Sequence, residues 1–172
     1  LLLVFYDIGI YNKLVNARNK VDNQFSQIDI QLKRRSDLIP NLVETVKGYA
    51  KHEEGTLTAV IEARNKAVSA GGVNEKIDAE NQLTGALNKL LMLSEAYPEL
   101  KANENFKDLS AQLTKIEDEI ANSRKYYNGT VREFNDKVQM FPSNVVAMIF
   151  GYKTKTMFEA NEEERKNVKV SL

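Results

Sequence analysis

His52 is the only histidine in the 172-residue chain, and it sets the limits on metal chemistry. His52 and Glu53 begin like the helix of a zinc metalloprotease, but that motif needs a second histidine three residues after the glutamate, where this chain has Thr56. A di-iron bundle centre needs two Glu-x-x-His pairs, which one histidine cannot supply. The sequence therefore predicts neither a zinc nor a di-iron site.

The other catalytic classes lack their residues as well. The adjacent carboxylates Glu117, Asp118 and Glu119 would fan out around a helix, which is typical of a solvated face. Cysteine is absent, and no Gly-x-Ser-x-Gly, Gly-x-Gly-x-x-Gly or Walker sequence occurs. Lys plus Arg and Asp plus Glu both number 24, so no net charge attracts nucleic acid. We expect no enzyme activity, no cofactor and no nucleic-acid partner.

Several polar residues recur at the three- and four-residue spacing of apolar helix faces. They are Arg18, Arg35, Glu53, Arg64, Arg124, Asn128 and Asn135. Arg35 or Arg64 could pair with Glu53 or Glu117 between helices and so fix their register. Alternatively, the arginine stems could cover the core while the charged heads reach solvent. The sequence leaves both interpretations open.

Four segments that carry these faces predict an all-α fold. The spacing predicts helices over 8–36, 40–70, 74–96 and 103–140. Pro40 is expected to begin the second helix, with Asp37 as its cap and Asn41 satisfying loose backbone groups at the corner. Gly71 and Gly72 are expected to end that helix, and Asn74 to cap the next. Short connections predict an up-and-down four-helix bundle with a left-handed twist.

The last thirty residues depart from this pattern. Pro142 and Ser143 predict a corner and a cap, followed by a short apolar helix that Gly151 ends and then by an irregular tail. We expect the segment to fold over the bundle end as a lid. The alternative is an exposed patch that docks a partner or a membrane, made of Val145, Val146, Ile149 and Phe150.

The first six residues, Leu1 to Tyr6, are apolar and are followed by Asp7. Six residues are too few to span a bilayer, which needs about 20. The segment is either the end of a longer transmembrane helix or an apolar helix start that docks on the bundle. Lys13, Arg18 and Lys20 follow it, which favours a cytoplasmic domain by the positive-inside rule.

One long stretch and several short ones resemble the bacterial LemA family. Residues 31–53 read QLKRRSDLIPNLVETVKGYAKHE, residues 95–102 read EAYPELKA, and residues 141–144 read FPSN. The resemblance implies one N-terminal transmembrane helix followed by a helical bundle in the cytoplasm. It divides the chain into an anchor remnant at 1–7, a four-helix bundle at 8–141, and a short helix with a packed tail at 142–172. We then expect at least about twelve further apolar residues before Leu1 in the native gene.

The resemblance supplies no catalytic residue and no established biochemical role. The sequence therefore favours a single-pass protein of the cell membrane that works as a protein-interaction or scaffolding module. A self-associating structural or envelope-assembly protein is the alternative. A small-ligand carrier or an enzyme comes third.

Overall fold

The computed structural model describes residues 1–159 and confirms an all-α protein, because that part of the chain contains helices and no strand. The first three helices are α1 at Leu2–Tyr49, α2 at Glu54–Ser69 and α3 at Val73–Met92. A 3-10 turn at Leu93–Ala96 leads to α4 at Pro98–Ala102, α5 at Glu104–Gln139 and α6 at Ser143–Ile149. The predicted tail beyond Glu159 lies outside the described residues.

The prediction of a helix break at Pro40 is wrong. Pro40 lies inside α1, which continues for nine residues to Tyr49. The helix persists because one buried face runs straight through the proline, made of Ile28, Leu32, Arg35, Ile39, Leu42 and Val46. Asp37 and Asn41 are accordingly exposed positions in a helix interior, and neither caps a corner.

Two other predicted caps are wrong as well. The residue before α3 is Gly72 in an extended conformation, and Asn74 lies within the helix. The Ser143 hydroxyl donates to the carbonyls of Lys137 and Met140, so it satisfies the end of α5 and not the amides of α6. By contrast, the Asn103 side chain accepts from the Phe106 amide at 3.0 Å and caps α5 close to the predicted start.

The described residues form two compact units. Unit 1 comprises residues 1–30 and 121–158, and unit 2 comprises residues 31–120 together with Glu159. Helices α1 and α5 contribute to both units. In unit 2, α2 packs against α3, and an apolar core forms from α1, α2, α3, α4 and α5.

The core of unit 1 is built from α1, α5, α6 and the extended segment that follows α6. Its buried side chains are Leu14, Ala17, Val21, Ile28, Tyr127, Val131, Phe134, Val146, Ala147 and Phe158. The start of α1 does not share in this core, since Leu1 to Tyr6 and Ile8 are exposed. That exposure contradicts the alternative in which this segment docks on the bundle. No helix within residues 1–159 is both long enough and apolar enough to cross a membrane.

Candidate functional site

The guanidinium of Arg35 on α1 is buried in unit 2. The side chain is 1% exposed, and Nη2 donates to the Glu80 carboxylate at 2.6 Å and to the Glu80 carbonyl at 3.1 Å. Nη1 donates to Glu117 Oε1 and to Thr84 Oγ1, both at 2.8 Å. The Lys76 ammonium lies 3.3 Å from the other Glu80 oxygen. We call these five residues the Arg35 cluster.

The Arg35 cluster connects three helices, because Arg35 lies on α1, Glu117 on α5 and the other three residues on α3. Two basic and two acidic side chains leave it neutral. The guanidinium occupies the space between the carboxylates that a metal ion would need, and residues 1–159 contain no group of three or more potential metal ligands. The geometry suits the fixing of helix register and is not a site for acid–base chemistry.

Arg64 explains how α1 tolerates its proline. Pro40 has no amide hydrogen, so the carbonyl of Ser36, four residues earlier, lacks its helical donor. Arg64 of α2 donates from Nε to that carbonyl at 2.9 Å. Ser36 is buried, so an unpaired carbonyl there would be costly. Arg64 thus completes the helix and does not pair with Glu53 or Glu117.

The remaining arginine and glutamate positions have separate partners. Glu53 accepts from the Tyr97 hydroxyl at 3.3 Å. Burial, and then the Glu53 carboxylate, raise the pKa of Tyr97. In unit 1, Arg18 stacks on the Tyr152 ring at 5.5 Å from its centroid, and Arg124 is half-buried on α5. The sequence-predicted polar residues therefore serve several local contacts, and they do not converge on one site.

The two asparagines of α5 hold the extended segment after α6 in unit 1. Asn128 donates to the Phe158 carbonyl at 2.9 Å and accepts from the Phe158 amide at 2.8 Å. Asn135 makes the same pair of contacts with the backbone of Lys155, at 3.0 and 2.8 Å. Each asparagine thus binds one residue as a neighbouring strand would. We call this arrangement the asparagine clasp.

Simple helix and strand geometry accounts for the clasp. Asn128 and Asn135 are seven residues apart, about 10.5 Å along an α-helix. Lys155 and Phe158 are three residues apart, about 10 Å along an extended chain. The two spacings match, and the segment runs antiparallel to α5. Because the contacts involve only backbone atoms of the segment, they hold it whatever its side chains are.

Tyr127 adds a third contact to the same segment. Its hydroxyl donates to the Thr156 carbonyl at 3.0 Å, and its ring lies 5.7 Å from that of Phe25. Burial raises the pKa of Tyr127 to about 12, with the nearby Asp22 carboxylate as the second cause. The phenol therefore remains a hydrogen-bond donor throughout the neutral range.

The predicted apolar patch on α6 requires a correction. Val146 is only 5% exposed and packs inward with Ala147, so it cannot belong to an exposed surface. Val145, Ile149 and Phe150 are exposed as the patch required, and Met148, which was not among the predicted patch residues, is 76% exposed. We call Val145, Met148, Ile149 and Phe150 the α6 face. The lid interpretation accounts only for the two inward residues.

Sequence analysis missed Glu80 and Thr84, although a signal was available for Glu80. Ile77, Glu80, Leu83, Leu87 and Leu90 form one buried face of α3, so Glu80 lies where only a paired charge is tolerated. It also missed Tyr152 and Lys155, since no periodic pattern shows where an extended segment will lie on a helix.

Comparison with known proteins identifies the family. The family model described as "LemA family" matches residues 24–172. Protein LemA of Metamycoplasma hominis is 28% identical over 171 residues, which cover 99% of this chain and 78% of that protein. Magnetosome protein MamQ 2 of Paramagnetospirillum magneticum is 23% identical, with 87% of this chain and 64% of that protein covered. Magnetosome protein MamQ of Magnetospirillum gryphiswaldense is 23% identical, with coverages of 83% and 62%. The chain thus spans less than two-thirds of these magnetosome proteins, and it belongs to the LemA family.

Proposed function

We propose that the protein is a non-enzymatic scaffold, tethered to the cell membrane, that presents helical surfaces to a protein partner. In this proposal, the helices form an up-and-down four-helix bundle with a left-handed twist on the cytoplasmic side. One observation carries the proposal. The polar groups that could do chemistry are engaged with other parts of the chain, whereas large apolar side chains are left exposed.

Both halves of that observation bear on function. A catalytic acid or base has to reach a substrate, but Arg35 and Glu80 are 1% and 0% exposed and bind each other. Conversely, exposed clusters of apolar side chains on soluble surfaces are typical of docking sites. The α6 face is one such cluster, and Leu1 to Tyr6, around the start of α1, are another. An apolar start of α1 also supports a membrane tether.

A groove in unit 2 offers a surface for a partner. It lies between the end of α1 and the start of α2 and has a volume of about 450 Å³. Val43, Leu57 and Ile61 form its apolar part, and Glu44, Lys47, Lys51 and Glu54 are among the other lining residues. An apolar centre with a polar rim is the usual composition of protein interfaces.

The relatives give limited further support. Two of them are named as magnetosome proteins, and a role as one component of a larger cellular assembly agrees with a scaffold. Their names state no reaction and no ligand.

Proximity labelling of the native protein in its own cell tests the proposal. We expect a reproducible set of labelled proteins that depends on the groove. Ile61→Glu should remove members of this set, because Ile61 is 43% exposed within the groove. Ile30→Glu is the matched control, since Ile30 is 55% exposed outside it. An unrelated helical domain on the same membrane tether that labels the same neighbours would refute the scaffold proposal.

Self-association is the second candidate, and the α6 face is the observation that favours it. Met148, Ile149 and Phe150 are 76%, 69% and 59% exposed and adjacent in sequence. Sedimentation at increasing protein concentration separates the two candidates. A mass that doubles with concentration in the parent, but not in Ile149→Asn, would favour an assembly of like chains.

A further inference from the structure

Unit 1 contains a cleft of about 550 Å³ that the sequence analysis did not predict as a site, although some of its lining residues, such as Arg18 and Phe150, were singled out there for other reasons. It lies between α1, α5 and the segment after α6. Among the residues that the structure describes, its charged lining residues are Arg18, Lys153 and Lys155, and none of the lining residues is an aspartate or glutamate. The other side chains include four aromatic rings. A concave surface with three cations and no carboxylate is suited to an anion.

The asparagine clasp builds this cleft. Asn135 fixes the backbone of Lys155, while Tyr152 lies 6.2 Å from the Phe134 ring and receives a hydrogen bond from Arg18 at 3.4 Å. Lys153 is therefore held between two fixed residues. Since the clasp contacts only the backbone of Lys155, replacing the lysine side chain leaves the clasp intact.

The charge around the cleft favours anions over a wider area. Residues 1–30 and 121–158, which form unit 1, contain nine basic and five acidic side chains, a net charge of +4. Within the described residues, the Asp22 carboxylate lies 3.9 Å from the Lys155 ammonium, and the Asp22 side chain is 62% exposed. A loose pair of this kind in solvent neutralises little charge.

The α6 face adjoins the cleft and adds an apolar surface. Phe150 belongs to both, and its ring lies 4.6 Å from that of Tyr11, which also lines the cleft. The exposed apolar start of α1 precedes Tyr11 by only a few residues. Tyrosine rings and basic side chains beside an apolar surface are the composition of segments that lie at a membrane interface.

We propose that this cleft binds the phosphate of an anionic lipid headgroup while the α6 face lies in the membrane interface. The inference deepens the proposed function, because it assigns the membrane-contacting surface of the scaffold. A lipid is the occupant that both surfaces fit, since a free phosphate ester would use the cations and leave the α6 face in water. A protein or second-copy partner would use the α6 face without requiring three cations.

Binding of the 172-residue chain to vesicles tests the proposal. One set contains phosphatidylcholine alone, and the other is an equal mixture of phosphatidylcholine and phosphatidylglycerol. We expect the parent to prefer the anionic set. Lys153→Gln with Lys155→Gln should weaken binding to that set by roughly 30-fold, since each basic side chain near an anionic surface contributes about fivefold. Binding to phosphatidylcholine alone should change little.

Matched variants separate specific from general effects. Lys89→Gln with Lys115→Gln removes the same charge from exposed positions of unit 2 and should leave the anionic preference unchanged. Met148→Asn with Ile149→Asn should weaken binding to both vesicle sets, because apolar insertion does not depend on lipid charge. Lys89, Lys115, Met148 and Ile149 are all exposed. An unchanged melting temperature would show that these variants remain folded.

Three results would overturn the proposal. In the first, the Lys153 and Lys155 variant keeps the full anionic preference. In the second, glycerol phosphate in solution saturates the cleft at concentrations where vesicles do not bind, which would assign a free phosphate ester. In the third, the α6 face mediates dimerisation and vesicles do not compete. Proximity labelling reports on the protein partner independently. If the vesicle experiments show no lipid binding while the same neighbouring proteins are still labelled, only this inference is refuted and the proposed scaffold function stands.

Discussion

Arg35 acts at the scale of a single side chain, yet it joins three helices of unit 2. Arg35→Ala removes the arginine partner of the buried Glu80 and leaves only the Lys76 ammonium beside it, so we expect the free energy of unfolding to fall by about 3 to 5 kcal/mol. Arg35→Lys should recover only part of this loss, because one ammonium cannot reproduce the planar fork. Denaturant titration measures both. Arg34→Ala is the control, since the Arg34 side chain is 62% exposed and lies 3.8 Å from Glu119. An Arg35→Ala loss below about 0.5 kcal/mol would mean that the cluster contributes no stability.

Arg64 and Pro40 form a pair that only the structure reveals. Arg64→Met should cost about 1 to 3 kcal/mol, since the Ser36 carbonyl is left without a donor. In a Pro40→Ala background, the amide of residue 40 can bond that carbonyl, and the same substitution should cost about 1 kcal/mol less. A double-mutant cycle of unfolding free energies measures this coupling. Equal costs in the two backgrounds would show that Arg64 does not compensate for the proline.

Tyr127 makes the stability of the fold depend on pH in the alkaline range. Its pKa in the folded protein is about 12, above the ordinary value of 10, so the folded state keeps the proton longer than the unfolded state does. This contribution to stability is complete below pH 10 and is lost as the pH rises towards 12. Between pH 10 and pH 12, the free energy of unfolding of Tyr127→Phe should therefore fall by roughly 2 to 3 kcal/mol less than that of the parent. Tyr126→Phe, at an exposed neighbouring position, should behave as the parent does. Identical alkaline unfolding curves for all three would contradict the assignment.

At the scale of elements, periodicity predicted the long helices well and their interruptions poorly. The spacing of buried residues locates α5 almost to its ends, because Asn103 provides a cap and apolar residues continue to Val138. Pro40 misled the prediction, since local propensity favours a break there. The buried face of α1 continues through it, and tertiary packing together with the Arg64 contact overrides the local preference.

The asparagine clasp is a contact between elements that the periodicity of the sequence could not predict. Asn128 and Asn135 were visible as polar residues on an apolar face, but their partners are backbone atoms far along the chain. Asn128→Ala with Asn135→Ala should release the segment after α6. Hydrogen exchange at the amides of Lys155 and Phe158 measures this directly, and we expect it to become at least about tenfold faster, because each amide loses its acceptor. Asn122→Ala, an exposed asparagine on the same helix, is the control. Unchanged protection would show that side-chain packing alone holds the segment.

At the scale of the whole molecule, the overall composition does not show that charge is distributed unevenly between the two units. The 24 basic and 24 acidic residues cancel, which argued against a nucleic-acid partner. Unit 1 nevertheless carries a net charge of +4, because its residues come from the two ends of a chain whose middle is acidic. The balance of charge within each unit follows from the fold, and composition alone could not provide it.

Membrane fractionation of the native protein from its own cell tests the central claim of a tethered scaffold most directly. High salt shortens the Debye length to about 3 Å at 1 M and so removes attraction between exposed charges and anionic lipids, but it does not reverse the insertion of apolar segments. We predict that the protein stays in the membrane pellet after a high-salt wash and leaves it only with detergent. Release into the soluble fraction by salt alone would contradict the claim.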